Sequence, residues 1–221
     1  MELIPKSYLC IKCNRRFHKD EAKFVYKRNC LCEDCVKSFS MYCDEAAHYA
    51  APNMEYYAPA FVYTKEFRNL FLRFKFQGYK AYGHLLAMAT AEHLKKSPNF
   101  NNFDYIIPMP ISRIRRRERG FNQSELMIPY IADVINTPVL NCLRKVKNTK
   151  PQSRFRRLRE RFNNIKGVYK CDYTFNGEKL ILFDDVFTSG STMYECAKVL
   201  KESGAGEIVG ISCAHSCEVI K

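Results

Sequence analysis

The sequence lacks any apolar run of the roughly 20 residues that a membrane-spanning helix requires. Residues 1–6 also lack the apolar stretch of a secretory signal peptide. There is no internal repeat and no low-complexity tract, which argues against a repeat array. We therefore expect a cytoplasmic protein with no membrane span.

The chain has 221 residues, enough for one ordinary domain and a small appendage. Its hydrophobic fraction of 47% is normal for a globular core. The 11 cysteines accompany no export signal, so we expect metal ligands and free thiols rather than disulfides.

The net charge of +13 is concentrated in one part of the chain. Between residues 113 and 166 there are fifteen Lys or Arg and only four Asp or Glu. A basic surface of this density indicates polyanionic partners, namely nucleic acid, pyrophosphate or both. The alternative is a solvated basic face without a partner.

Two Cys-x-x-Cys pairs lie near the start of the chain, with eighteen residues between them. This spacing is typical of a tetrahedral four-thiolate zinc site, in which the metal supplies the folding energy that a small core cannot. Four protein ligands leave no open coordination position, so we expect a structural zinc. The predicted ligands are Cys10, Cys13, Cys32 and Cys35.

Three nearby residues leave the ligand set open. Cys30 lies two residues before Cys32 and could replace it, Cys43 lies just outside the module, and His18 is a more remote alternative. The module could also contact nucleic acid, which its sequence does not decide.

Beyond this module, predicted strands alternate with predicted helices, which indicates an α/β domain with a mainly parallel sheet. We divide the chain into a four-cysteine module at 1–45, a linker at 46–58 and an α/β domain at 59–221. The predicted strands are 60–63, 104–108, 179–183 and 207–213, and the predicted helices are 67–78, 82–95, 122–135 and 193–202.

The segment 180–192 carries the most specific pattern. Its apolar start, Leu180 to Phe183, is typical of a strand buried on both faces, and Asp184 and Asp185 follow where ligands bind in open α/β sheets. A small-residue turn then opens a helix, whose free N–H groups and dipole favour a phosphate. We interpret the segment as a ribose-5-phosphate cradle; the alternative is an acidic turn that caps a helix. The turn consists of Thr188, Ser189, Gly190, Ser191 and Thr192.

Arginines are concentrated in two further segments. A turn at Met109-Pro110 leads into a predicted arginine-dense loop, and planar guanidinium groups suit phosphate oxygens. In the second segment, residues 152–162, a helical period places apolar and cationic residues on separate faces, typical of either an ordinary surface helix or a phosphate-facing one. The loop arginines are Arg113, Arg115, Arg116, Arg117 and Arg119. The helix arginines are Arg154, Arg157 and Arg161, and the apolar residues on the other face are Phe155, Leu158 and Phe162.

Residues 180–192 resemble the phosphoribosyl pyrophosphate (PRPP) motif of type I phosphoribosyltransferases, with Ser189 where the family has Thr. Nearly the whole chain resembles the ComF family of phosphoribosyltransferase-related competence proteins, which includes GntX-like members. Departures are Met109 in place of Val and one extra residue between Gln152 and Asn164. The further motifs that carry the resemblance are Phe74-Lys75-Phe76-x-Gly78, Pro108-Met109-Pro110, Arg119-Gly120-Phe121-Asn122-Gln123 and Arg161-x-x-Asn164.

The resemblance implies a zinc ribbon joined to a type I phosphoribosyltransferase fold. It implies that Asp184 and Asp185 meet the ribose hydroxyls, that residues 188–192 hold the 5-phosphate, and that Met109, Pro110 and the following arginines face the pyrophosphate of magnesium-bound PRPP. It also implies handling of single-stranded DNA in natural transformation, beside a ComFA-like helicase and recombination-loading proteins.

Two function classes follow. The first is an enzyme that transfers a phosphoribosyl group from PRPP to an acceptor, with Asp184 and Asp185 as the catalytic pair. The second is a binding module that keeps the phosphate site and grips single-stranded DNA with its arginines. Phe121 and Phe155 are candidates for stacking on bases, although core positions are the more ordinary expectation for both.

Overall fold

Two four-stranded sheets and one two-stranded sheet organise the part of the chain that the structure describes. The structure is a computed structural model, and it describes residues 5, 7–40, 53–95, 100, 102–149 and 158–216, without the side chains of residues 158 and 162. The strands are β1 (Tyr8–Cys10), β2 (Arg16–Phe17), β3 (Ala22–Tyr26), β4 (Asn29–Cys32), β5 (Tyr56–Val62), β6 (Tyr105–Pro108), β7 (Leu143–Lys145), β8 (Tyr169–Cys171), β9 (Leu180–Phe187) and β10 (Ile208–His215). The α-helices are α1 (Glu33–Lys37), α2 (Lys65–Phe76), α3 (Lys80–Leu94), α4 (Arg113–Arg119), α5 (Gln123–Ile135), α6 (Leu158–Ile165) and α7 (Ser191–Glu202), and a 3-10 turn covers Lys19–Glu21.

The central sheet has the strand order β5-β10-β9-β6, and every neighbouring pair is parallel. Helices α3 and α5 pack on one face, while α7 packs against β9 from the other. The predicted class, an α/β fold whose parallel sheet is flanked by helices beside a small cysteine module, is confirmed.

Strand β9 is buried on both faces, as its apolar run predicts. Ile181 and Phe183 belong to the core on the α3 and α5 side, whereas Leu180 and Leu182 belong to the core on the α7 side. All four side chains are fully buried. This alternation is the period of two that strands impose.

The ends of the strands create a step at the edge of the sheet. Pro108, the last residue of β6, pairs with Phe183, but β9 continues beside β10 as far as Phe187. Asp184 and Asp185 therefore lie beyond the end of β6, and no strand of the described residues covers them on that side. The acid pair borders a cleft for this reason.

The cysteine module packs directly on the α/β domain. The ring of Tyr26 from β3 stacks on His84 of α3 with 3.8 Å between centroids, and Lys23 pairs with Glu92 at 3.8 Å. Phe39 packs edge-on against Phe67 of α2. The module and the face of the sheet beneath it share one hydrophobic cluster.

Two predicted strand boundaries differ from the structure. β5 begins at Tyr56, so the last residues of the predicted linker are part of the central sheet; Tyr57 is buried, and Pro59 is tolerated because β5 is an edge strand. The predicted strand that was to end at Phe183 runs on to Phe187 and contains both acids. The rest of the predicted linker, up to residue 52, lies outside the described residues.

The predicted arginine-dense loop is a helix, α4. The side chain of Ser112 accepts a hydrogen bond from the Arg115 N–H and so caps its start, and Gly120 ends it. The residues between Ser112 and Gly120 are arginine, isoleucine and glutamate, all of which are compatible with a helix. The high density of positive charge therefore does not prevent helix formation.

The antiparallel pair of β7 and β8 was not predicted. Helix α6 covers the second half of the predicted segment 152–162; Arg154, Arg157 and Phe155 lie outside the described residues. Within the described ranges, none of the helices combines the length and apolar content needed to cross a bilayer.

Candidate functional site

A cleft opens at the carboxyl edge of the central sheet, between the end of β6, the start of α5 and the β7–β8 pair. Two small cavities adjoin there, because Asp184, Val186 and Thr192 line both. The first is also lined by Lys75, Met109, Pro110, Ile111, Ser112, Arg115, Arg119, Gln123, Ser124, Lys145, Thr149, Tyr169 and Asp185. The second is also lined by Phe187, Thr188, Ser189, Gly190, Ser191 and Met193.

The two acids have different environments. Both carboxylate oxygens of Asp185 accept hydrogen bonds from the Lys75 ammonium, at 2.8 and 2.9 Å, and the two side chains are only 10% and 18% exposed. Asp184 faces the cleft, and its Oδ1 accepts from the backbone N–H of Asp185 at 2.8 Å and from the hydroxyl of Ser124 at 3.3 Å. Asp185 is therefore already paired with Lys75, and the expectation that both acids meet the ribose hydroxyls stays a prediction.

Burial and the neighbouring charge of Asp185 raise the pKa of Asp184 to about 7. Lys75 and the two hydrogen bonds favour the ionised form but do not overcome this rise. The carboxyl group of Asp184 thus titrates near neutral pH, and a ligand that brings positive charge or hydroxyl donors would favour its ionisation.

The turn 188–192 wraps the second cavity at the start of α7. Gly190 has a φ of +69°, and a Cβ there would lie 2.5 Å from the ring of Phe187 and 2.6 Å from that of Tyr194. The hydroxyls of Ser189 and Ser191 lie 3.0 Å apart. A small residue with left-handed backbone is needed here, and the resulting turn directs hydroxyls and free helix N–H groups toward one small space.

The arginines of α4 divide between two surfaces. Arg115 and Arg119, one helical turn apart, line the cleft. Arg113 and Arg116 line a neighbouring groove together with Arg144 and Lys145, and Arg116 forms an ion pair with Glu125. Arg117 is exposed, and Arg161 on α6 is partly buried.

The string Arg119-Gly120-Phe121-Asn122-Gln123 builds one wall of the cleft. Phe121 is 9% exposed and packs on Phe74 with 5.3 Å between ring centroids, so it is a core residue and not a stacking surface. Asn122 caps α5 by accepting from the Ser124 N–H and donates to the Met109 carbonyl at 3.0 Å. The string therefore ties the Met109-Pro110 turn to the start of α5.

Gln123 presents an unused donor to the cleft. Its Oε1 accepts from the Arg119 guanidinium at 2.8 Å, which fixes the orientation of the amide. Its Nε2 is buried and has no hydrogen-bond partner among the described residues. Buried donors without a partner are rare and costly, so this nitrogen points to a ligand with acceptor atoms.

The opposite wall comes from β7 and β8, which the sequence analysis missed. Burial, and to a smaller extent the positive charge of Arg115, lowers the pKa of Lys145 to about 8. The Lys145 ammonium donates a hydrogen bond to the Thr149 hydroxyl at 2.8 Å. Tyr169 is 4% exposed and hydrogen-bonds Thr192. A bound anion would stabilise the charged form of Lys145.

Lys75 and Ser124 also line the cleft and were not among the predicted site residues. Lys75 stands in the Phe74-Lys75-Phe76-x-Gly78 motif, off the apolar stripe of α2, and Ser124 directly follows the Gln123 of the next motif. A polar residue inside a family motif is the signal that could have found Lys75, whereas Ser124 lies just outside its motif and carries no such signal.

The four predicted zinc ligands lie together within the cysteine module. The Sγ atoms of Cys10, Cys13, Cys32 and Cys35 are all within 4.8 Å of one another, a spacing that could hold a metal ion. Cys30 is buried but is not part of this group.

Sequence comparison relates the chain to competence proteins along most of its length. It is 28% identical over 226 aligned residues to Competence protein F of Haemophilus influenzae, covering 91% of this chain and 94% of that protein. It is 24% identical to Competence protein ComFC of Streptococcus pneumoniae, covering 91% and 85%. The DNA utilization protein YhgH of Escherichia coli O157:H7 matches at 28% over 52% of this chain and 51% of its own length. The predicted resemblance to the ComF family is confirmed. No family model matches the chain.

Among solved structures, adenine phosphoribosyltransferase from Saccharomyces cerevisiae overlaps with 61% of this chain and 68% of its own, at 14% identity and a TM-score of 0.39. A second adenine phosphoribosyltransferase overlaps with 64% of this chain and 74% of its own, at 16% identity and a TM-score of 0.38.

Proposed function

We propose that this protein binds magnesium PRPP in the cleft and single-stranded DNA on the adjoining basic surface, and that it assists DNA uptake in natural transformation. The observation that carries the first part is the arrangement of charge in one cleft: Asp184 faces a hydroxyl-rich turn on one side and the cationic residues Arg115, Arg119 and Lys145 on another. The names of the relatives support the second part.

PRPP is a ribose with a phosphate at one end and a pyrophosphate at the other, and the two cavities match this division. The 5-phosphate would be held by the turn 188–192 at the start of α7. The ribose hydroxyls would donate to Asp184, since Asp185 already accepts hydrogen bonds from Lys75. The pyrophosphate would lie against Met109, Pro110 and the cleft arginines, with the free Nε2 of Gln123 as a further donor.

Magnesium fits the donor set only together with the ligand. The cleft offers the partly open carboxylate of Asp184, while Lys75 already holds Asp185. Magnesium commonly binds through one or two carboxylates and the phosphates of a substrate. When bound, the ion would neutralise the pyrophosphate, and Asp184 would orient the ribose.

Titration calorimetry with magnesium PRPP tests the proposal. The parent protein should bind saturably, and Asp184→Asn should bind at least about tenfold more weakly, because a hydrogen bond to a charged acceptor is lost. Asp133→Asn removes an exposed acid on α5 and is the matched control. Equal affinity of the parent and Asp184→Asn would contradict the proposal.

A second candidate function is catalytic transfer of the phosphoribosyl group. The bond from the anomeric carbon to pyrophosphate would break, pyrophosphate would leave with the bonding electrons, and an acceptor would form the new bond. The arrangement that favours this is the position of Asp184 between the turn 188–192 and the cleft arginines, where its ionised carboxylate would stabilise the cationic charge that develops on the ribose. Release of pyrophosphate from PRPP, dependent on an added acceptor and lost in Asp184→Asn, is the measurement that separates a transferase from a binding protein.

The DNA part of the proposal has its own basis. Arg113, Arg116 and Arg144 line a groove beside the cleft, where phosphates of a strand would release counterions. Affinity for single-stranded DNA should therefore fall steeply with salt. By family resemblance, a ComFA-like helicase and recombination-loading proteins would be the partners.

We further propose that the Cys10, Cys13, Cys32 and Cys35 cluster holds a structural zinc. Four thiolates in a compact group are the donor set that tetrahedral zinc prefers. The metal would hold the module in the shape that packs against α3.

A further inference from the structure

Two large aromatic side chains lie on the surface where α2 ends and α3 begins. Phe76 is 67% exposed and Tyr79 is 53% exposed, although the other phenylalanines of α2 are buried. They are three residues apart in the chain, separated only by Gln77 and Gly78, which are also exposed. Large apolar side chains that are exposed next to one another point to a contact surface.

The fold does not need Phe76 in its core. The buried residues of α2 recur as a stripe at helical spacing, and Phe76 stands off that stripe. Its neighbour Lys75 reaches into the cleft to Asp185. Successive residues of a helix point about 100° apart, so Lys75 faces the site while Phe76 faces outward at its rim.

Cations surround the two rings. The Arg119 guanidinium lies 5.1 Å from the centroid of Phe76, and Arg119 itself lines the cleft. The segment from Arg73 to Lys80 contains no acid, and Arg73 and Lys80 are exposed, whereas Lys75 is paired with Asp185 in the cleft. The Tyr79 ring packs at 5.5 Å from that of Tyr82, whose hydroxyl accepts from Arg73. The patch is thus aromatic at its centre and positively charged around it.

We propose that Phe76 and Tyr79 form a stacking platform for the bases of a single-stranded nucleic acid whose phosphates lie along the surrounding cations. Proteins that bind single-stranded nucleic acid combine exposed aromatic rings with a basic surface. The rings stack on the bases, since every base has a flat face, and the cations contact the phosphates. A duplex keeps its bases stacked on one another and cannot use such a platform. The proposal rests on the DNA-binding part of the proposed function, and it names Phe76 and Tyr79 as residues that contact the bases.

The platform replaces the two aromatic residues that the sequence suggested for this role. Phe121 is buried against Phe74, and Phe155 lies outside the described residues. Phe76 lies against Arg119, which lines the cleft, and the exposed Tyr79 follows three residues later. A strand stacked there would run past the mouth of the cleft.

The test compares a strand with bases to one without them. The probes are a labelled oligothymidine of about 16 nucleotides, the upper end of typical site sizes, and an abasic strand with the same number of phosphates. The variant Phe76→Leu with Tyr79→Leu keeps apolar bulk and removes both aromatic faces. The control is Tyr173→Leu, which removes an exposed ring that is 39% accessible and lies outside the patch.

We expect the double variant to bind oligothymidine at least about fivefold more weakly than the parent, since one stacked base contributes at least that factor. The slope of affinity against salt should stay the same, because stacking releases no counterions. Affinity for the abasic strand should be unchanged, and Tyr173→Leu should match the parent on both probes. In contrast, Lys80→Gln should lower the salt slope on either probe.

A fluorescent variant gives a direct readout, because the chain has no tryptophan. Phe76→Trp should show quenching or a spectral shift on addition of oligothymidine and little change with the abasic strand. No change with either probe, or equal losses of affinity on both probes in the double variant, would overturn the platform. If the two rings instead bind a protein partner, the double variant should bind both DNA probes as tightly as the parent does.

These outcomes separate the platform from the proposed function. If the parent binds oligothymidine and the double variant binds it equally well, only the platform is wrong. If the parent does not bind single-stranded DNA, the DNA part of the proposed function fails and the platform fails with it. PRPP binding, measured in the same preparations, is expected to be unaffected in the double variant.

Discussion

At the scale of single residues, the contact between Lys75 and Asp185 determines which acid can serve a ligand. The ion pair joins residues 110 positions apart in sequence, and both side chains are largely buried. It satisfies the charge of Asp185 and leaves Asp184 as the carboxylate that faces the cleft. Adjacent acids in a motif therefore need not share one role.

Lys75→Met should destabilise the protein by about 3 kcal/mol, because it leaves the buried carboxylate of Asp185 without its counter-charge. Adding Asp185→Asn should restore much of that loss. Denaturant unfolding of the two single variants and the double variant measures the coupling between the residues. Additive effects of the two substitutions would contradict a direct ion pair.

The raised pKa of Asp184 predicts how stability depends on pH. The folded protein holds a proton on Asp184 up to about pH 7, whereas an ordinary Asp loses it near the usual value of 3.8. Between these values the folded state binds more protons, so this group makes the protein less stable as pH rises. Asp184→Asn should therefore gain stability over the parent from about pH 4 to about pH 7.

Melting temperatures of the parent and Asp184→Asn at pH 5 and pH 8 measure this difference. The advantage of the variant should be larger at pH 8. An advantage that is the same at both values would show that Asp184 is not buried in the way the structure describes. Asp133→Asn, on the exposed face of α5, is expected to show no such trend.

At the scale of elements, the sequence predicted those parts of the fold in which burial repeats at a regular spacing. Helix α2 and strand β9 have apolar residues at the periods of a helix and a doubly buried strand, and both are confirmed. β7 and β8 are short and partly polar, so no periodicity marks them. The wall that carries Lys145 and Tyr169 was missed for that reason.

Helix α4 shows the opposite kind of error. The segment was predicted to be a loop because its arginines suggested a pyrophosphate-binding loop, and the helix propensity of its residues was given too little weight. Ser112 and Gly120 are ordinary start and stop signals for a helix, and they could have been read from the sequence. The pairing of Lys75 with Asp185 could not be predicted in this way, because the two residues are 110 positions apart in the sequence. No local sequence pattern indicates that a side chain of α2 will contact β9.

The turn that opens α7 can be tested with two glycines. Gly190 and Gly177 both have positive φ, but an added Cβ at Gly177 meets nothing within 4 Å, whereas at Gly190 it collides with Phe187 and Tyr194. Phe187 is held by stacking on Tyr57 at 3.8 Å, so it cannot move aside easily. Gly177→Ala should cost about 1–2 kcal/mol of stability, from backbone strain alone.

Gly190→Ala should cost more than that and should also weaken PRPP binding, because the turn must shift to admit the methyl group. Unfolding by denaturant and calorimetric titration of both variants make the comparison. Equal losses of stability with PRPP affinity retained would mean that the turn adapts without disturbing the cavity.

At the scale of the whole molecule, the cysteine module and the α/β domain share one hydrophobic cluster. Tyr26 stacks on His84, and Phe39 packs on Phe67, so loss of the module's shape would expose part of the larger core. Metal binding at the four cysteines should therefore stabilise the entire chain and not only its first residues.

Metal analysis of cysteine variants tests which thiols bind. Cys32→Ser should lose zinc and unfold at a lower temperature, because Cys32 lies within the four-sulfur group. Cys30→Ser should retain one zinc per chain. The reverse pattern would show that Cys30 takes the place of Cys32 as a ligand.

The central claim is that the two adjoining cavities bind the two ends of one phosphosugar. The most direct measurement is a set of titrations of the zinc-loaded protein with PRPP, ribose 5-phosphate and pyrophosphate, each with magnesium. The account predicts that PRPP binds at one site per chain and more tightly than ribose 5-phosphate or pyrophosphate. One PRPP molecule occupies both cavities, so the translational and rotational entropy of binding is lost once and not twice. If PRPP fails to bind, or binds no more tightly than pyrophosphate alone, the claim is wrong.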